Sequence, residues 1–195
     1  MNDRLTLTVF FLLVLGGVFI QWGCLDLPNF APIAALSMFA GFYFRSLIVA
    51  SLVPFSVLTL SNIQLGGYGS WPIMIAVYFS LIFPAVLSQR FLRRDDGGVS
   101  CLRMTSFSCL GSILFFFVTN YAAWVQWYPF SFAGFAECYL AAIPFFRWTL
   151  MGDLFFNCTF FAVYVFSVSA YPRLAIHRYR GDDSRFGVRN TSLEI

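Results

Sequence analysis

The chain has 195 residues, of which 59% are hydrophobic and only 11% charged, with a formal net charge of +3 carried by twelve arginines and no lysine. Soluble domains run near 25% charged, so this composition excludes an ordinary globular enzyme. A chain without lysine cannot supply the lysine of a phosphate-binding P-loop, and no such motif is present.

Long apolar runs recur along almost the whole length, and none alternates with the two-residue period of a membrane barrel strand. The expected fold is all-α: a polytopic membrane protein with six transmembrane helices and one short re-entrant or interfacial helix before the last span. Residues 1–176 form the membrane domain in this reading, and 177–195 a disordered basic tail.

Helix one is expected over Leu5–Trp22. It is too long, and too poor in a following small-residue cleavage site, for a signal peptide. A polar connection, Gly23–Asn29, leads to a short helix two over Phe30–Phe44, with Pro32 in the first turn, where a missing N–H costs little. Helix three, Leu47–Leu60, carries Pro54. Ser61–Ser70, with Gly66, Gly67 and Gly69, reads as a loop, and a lid hinged on those glycines is expected there.

Helix four follows over Trp71–Leu92, and Arg90–Arg103 is an aqueous loop. Helix five covers Thr105–Trp124, followed by an aromatic segment, Gln126–Ser131. Ala133–Ile143 is shorter than the roughly twenty residues a crossing helix needs, so it reads as re-entrant and ends at Pro144. Trp148–Tyr171 is the last span, before an arginine-rich tail.

Charge asymmetry orients this threading. Six spans with the N-terminus inside leave eleven arginines on the inner side and only Arg147 outside, as the positive-inside rule prefers. Seven spans would export the tail's five arginines. The expected location is therefore a bacterial cytoplasmic (inner) membrane, with both termini cytoplasmic. The arginine clusters read as orientation signals facing lipid headgroups, and no nucleic-acid partner is expected.

Three charges interrupt the apolar run near its end: Glu137, Arg147 and Asp153. A charge at the bilayer centre costs about 2.5–3.5 kcal/mol on insertion scales, so such residues need partners or a task. The six-span threading collects Asn29, Asn62, Asn120, Trp124, Glu137, Arg147 and Asp153 at the outer ends of their helices, and these are the candidate solute-binding residues. Asn120 and Trp124 share one helix face, as do Asp153 and Asn157. A bland alternative exists for each: tryptophans as an interfacial belt, asparagines as interhelical glue, and Glu137 with Arg147 as an ion pair. Five cysteines without CxxC spacing and a single histidine point to no metal site, and no cofactor is expected. No nucleophile–base pair or GxGD pattern points to an enzyme.

The runs PNFAPIAALSMFAGFYF (Pro28–Phe44), TNYAAW (Thr119–Trp124) and YLAAIPFFRWTLMGDLFF (Tyr139–Phe156) together resemble an uncharacterised bacterial integral-membrane family described as transport proteins. Its layout is similar to that of the substrate-binding S components of energy-coupling-factor vitamin transporters. The resemblance implies six helices, a ligand near the outer face, and motif positions at Asn29, Asn62, Asn120, Arg147 and Asp153. Separate ATPase and coupling subunits would then be partners. In that family an acidic residue is usual where this chain has Asn62. S components often dock their coupling protein through an Ala-x-x-x-Ala face on the first helix. Here helix one offers Gly16 and Gly17, while the pairs Ala31/Ala35 and Ser37/Gly41 lie on helix two. The competing reading is a non-transporting membrane scaffold or envelope-morphogenesis protein.

Overall fold

A computed structural model describes residues 3–24, 29–44, 46–92 and 99–170. The tail at 177–195, expected to be disordered, lies outside the described residues. The described chain is helical: α1 (Asp3–Gly23), α2 (Ile33–Tyr43), α3 (Leu47–Leu65), α4 (Trp71–Leu87) continued by a π-helical turn (Ser88–Leu92), α5 (Cys101–Trp127) and α6 (Phe132–Ala170). Five of these elements are long and apolar enough to cross a membrane. Helices suit that setting because each satisfies its own backbone polar groups where no water can.

Local chemistry sets several boundaries. Ser46 Oγ accepts the N–H of Val49 and opens α3, and Ser100 Oγ accepts that of Arg103 and opens α5. Gly66, at φ +84°, closes α3 by donating its N–H to the Asn62 carbonyl. α3 therefore runs one turn further than Leu60, and the expected Ser61–Ser70 loop shrinks to residues 66–70.

The second difference is larger. Ala133–Ile143 is no separate re-entrant segment, because α6 is one helix of 39 residues that passes through Pro144. Proline removes one backbone hydrogen bond, a loss that a membrane helix packed on neighbours tolerates. Pro54 likewise sits inside α3 without ending it.

α2 is the hub. At eleven residues it is about 16 Å long, roughly half the hydrocarbon core. Nine of those residues are buried, among α1, α3, α4, α5 and α6. Small residues allow the close approach, as is usual between membrane helices. A Cβ on Gly41 would lie 2.7 Å from the Cα of Ala85 and strike that residue's carbonyl oxygen. One turn earlier, the buried Ser37 hydroxyl donates to the Leu81 carbonyl. The Ser37/Gly41 face is thus spent inside the bundle, on α4. Gly17 plays the same part on α1, where a Cβ would meet Leu36 Cδ1 at 2.5 Å and Val57 Cγ2 at 2.8 Å, whereas Gly16 faces open space.

A second seam is aromatic. Phe39 and Phe42 of α2 pack edge-on against Phe161 and Tyr164 of α6, with centroids 5.1–6.2 Å apart. The outward faces, by contrast, carry exposed Leu12, Phe19, Ile48, Phe79 and Phe166, an apolar surface suited to lipid.

Candidate functional site

A cavity of about 250 Å³ opens where α1 ends and α2 begins. Gln21 and Cys24 come from α1 and the residue that follows it. Asn29, Phe30 and Ala31 lead into α2, which adds Ile33 and Ala34; Leu58 and Asn62 come from the C-terminal half of α3, and Tyr68 from the short loop. Val77 and Leu81 of α4, Phe115 of α5, and Thr149 and Asp153 of α6 complete the wall.

Asp153 reaches this space because of its neighbour. Gly152 has no side chain, so the backbone of Phe30 and Ala31 lies against α6; a Cβ there would stand 3.3 Å from the Ala31 nitrogen and the Phe30 Cα. The Phe30 ring locks the contact against Phe155 and Phe156, with centroids 6.0 and 5.3 Å away. Asn29 completes the bend in the left-handed region, at φ +62°, which asparagine tolerates better than most residues.

The carboxylate of Asp153 is 4% exposed and accepts a 2.5 Å hydrogen bond at Oδ2 from the Ser112 hydroxyl. Behind it, away from the cavity, the Asn157 amide donates to Ser108 Oγ at 3.0 Å. Ser108 and Ser112 are one turn apart on α5, as Asp153 and Asn157 are on α6, so four polar side chains form a ladder between two apolar helices. Asn157 Oδ1 is buried without a hydrogen-bond partner among the described residues. Replacing Ser112 by alanine should cost about 1–2 kcal/mol, and close to nothing when Asp153 is already leucine. A double-mutant cycle in mixed-micelle unfolding checks this.

Across the cavity, the Tyr68 phenol bonds the side chain of Asn62. Burial, reinforced by nearby Tyr78, pushes its pKa up to about 12 against the opposing effect of Asn62. Tyr68 is therefore a neutral hydrogen-bonding group at any physiological pH. Gln21 Oε1 is buried and has no hydrogen-bond partner among the described residues.

Of the seven residues expected to bind a solute, Asn29, Asn62 and Asp153 line this cavity. Asn120, Trp124, Glu137 and Arg147 do not. Asn120 donates to the Phe116 carbonyl of its own helix at 2.7 Å, and Trp124 Nε1 donates to the Pro129 carbonyl at 3.1 Å. Trp124 also packs at a tilt on Phe130, with centroids 4.7 Å apart, and meets Phe135 edge-on, which makes it part of the α5–α6 turn. Glu137 is exposed. It lies ten residues from Arg147 on one continuous helix, about 15 Å along the axis and too far to form the ion pair considered above. Arg147 is also exposed, its guanidinium 5.4 Å from the Trp148 ring centre.

Ser108, Ser112, Gln21 and Tyr68 were not anticipated. Serines in apolar helices commonly bond their own i−4 carbonyl, so nothing marked these two beyond their four-residue spacing. Gln21, a polar residue one position before Trp22 at a helix end, was the better signal. Among the described residues, no group of three histidine, cysteine, aspartate or glutamate side chains could hold a metal ion.

A family model matches residues 1–174. The chain belongs to DUF6580, a family of unknown function. No curated protein and no solved structure matches it. Membership in DUF6580 names no ligand, so the chemistry of the site has to be argued from its side chains.

Proposed function

We propose that the protein is a membrane-embedded solute-binding or transport subunit for a small polar or vitamin-like molecule. The observation that carries this reading is the cavity, an aromatic and amide-lined space with a buried carboxylate at its wall. Ligand sites are characteristically concave, mostly apolar and set with a few convergent polar groups. A volume of about 250 Å³ suits a molecule on the order of ten non-hydrogen atoms. The short, buried α2 beside it supports the reading too, since short or interrupted helices are the usual pointer to a transporter's binding site.

In this proposal six helices thread a bacterial inner membrane with both termini cytoplasmic, and the arginine distribution puts the cavity on the outer face. Hydrolysis of ATP, if it energises transport, would fall to separate ATPase and coupling subunits, since the chain has no lysine. The protein itself is not an enzyme in this reading. The experiment is equilibrium binding of a broad panel of vitamins and their precursors to the purified, folded protein. At least one micromolar binder is expected, and none across the panel would refute the proposal.

One observation favours the scaffold reading instead. The Ser108–Ser112–Asp153–Asn157 ladder joins α5 to α6, as structural glue would. On that reading, purification from membranes recovers wall-synthesis proteins and no ATPase.

A further inference from the structure

The ladder and the cavity meet at one residue, and the carboxylate at that meeting point has no counter-charge among the described residues. Among the described residues, Asp153 is the only charged side chain lining the cavity. Arg147, the one arginine expected at this end, is directed onto Trp148 instead. Arg103 is tied to the Phe91 carbonyl beyond the opposite end of the bundle, 3.2 Å from Nη1. A buried carboxylate is costly unless it is paired and hydrogen-bonded, and here it has a single neutral donor in Ser112.

We propose that the cavity takes a small organic cation: a protonated amine on an aromatic or aliphatic body. This deepens, and rests on, the solute-binding reading. An ammonium group supplies three N–H donors and no acceptor. One of them answers Asp153, and Gln21, which lines the same cavity, carries at Oε1 a buried acceptor with no hydrogen-bond partner among the described residues. Phe30, Phe115 and Tyr68 line the same space, and aromatic rings attract cations. A carboxylate ligand in this position faces like charge, and a neutral alcohol leaves the charge on Asp153 unmatched. Discrimination then comes from the wrong solutes leaving a buried group unsatisfied.

The test uses matched sets of near-isosteric probes: phenethylamine, 2-phenylethanol and phenylacetate, then butylamine, butanol and butyrate, and further sets of the same design. Binding to the full-length protein in nanodiscs is read by calorimetry and by ligand-induced shifts in thermal unfolding. In every set that binds, the amine should exceed the alcohol by about 10- to 100-fold, the range expected of a charge-assisted hydrogen bond. The carboxylate should not bind. Asp153→Asn, which keeps the side-chain shape, should abolish the preference. The amine-to-alcohol ratio in the unaltered protein carries the test even if that variant does not fold. Alcohols or carboxylates that bind as well as amines overturn the charge assignment and leave the solute-binding reading standing. A folded protein that binds no probe from any set, and nothing in the vitamin panel, removes both.

Discussion

Gly41→Ala should destabilise the protein by about 3 kcal/mol or more, at the upper end of what overpacking costs. Helix propensity alone predicts the opposite sign, a gain approaching 1 kcal/mol. Packing wins because the added methyl meets the backbone of Ala85, which cannot rotate away as a side chain would. α2 and α4 must separate to admit it, and the Ser37–Leu81 hydrogen bond one turn away is then lost as well. Gly16→Ala is the control: its Cβ meets nothing within 4 Å, so it should be neutral or slightly stabilising. Unfolding of the two purified variants in mixed micelles, followed by circular dichroism, gives the comparison. Equal stabilities for both would show that the α2–α4 seam is not tight.

Asp153→Leu should have the reverse profile. Leucine is apolar and of comparable length, and it removes the cost of holding an unpaired carboxylate away from water, so the change should be neutral or stabilising. Ser112 is not orphaned by the change, because the Ser108 carbonyl lies 3.1 Å from its hydroxyl and can take the proton. Unfolding should therefore occur at equal or higher denaturant. Affinity for the strongest solute of the panel should fall by about 100-fold or more, the loss of a buried charged contact. If Asp153 were only glue between α5 and α6, the outcome would invert: stability would drop and any solute binding would survive. Measuring both quantities on one preparation separates the transport and scaffold readings.

The helices were legible because long apolar runs admit no other membrane-compatible backbone, and cap residues such as Ser46, Ser100 and Gly66 act locally. What sequence could not show was continuity through proline. Pro144 looked like an end because its lost hydrogen bond is a local fact, whereas the packing that carries α6 through it involves residues far away in the chain. That single difference explains half of the site. Since α6 continues upward, its first turns pair with the far end of α5: Tyr139 donates to the Phe117 carbonyl at 2.8 Å, and Cys138 lies 3.4 Å from the Asn120 carbonyl. Asn120, Trp124 and Glu137 leave with that pairing. The spacing of Asn120 and Trp124 on one face was read correctly, but the face points to the α5–α6 turn. Asn29 and Asn62 come together because they sit at the start of α2 and the end of α3, which connectivity alone brings to one side, whereas Asp153 lies in the middle of α6 and joins them through the Gly152 contact with Phe30 and Ala31. The packing role of Gly152 was not legible because closeness to Ala31 is a property of two distant segments.

The length of α6 has a mechanical meaning. Thirty-nine residues make a rod of about 58 Å, against 40–45 Å for a bilayer with its headgroups. A tilt steep enough to hide it would be about 40–47°, at or beyond the limit of roughly 40° reached by known spans. α5, at 27 residues, accompanies it for about 40 Å, while α3 beside the cavity has only 19. The molecule therefore has uneven shoulders: a tall pair of helices capped by Trp127, Phe130 and Phe132 rises past a low rim. An antibody fragment raised to that aromatic crest would mark the particle without touching the cavity.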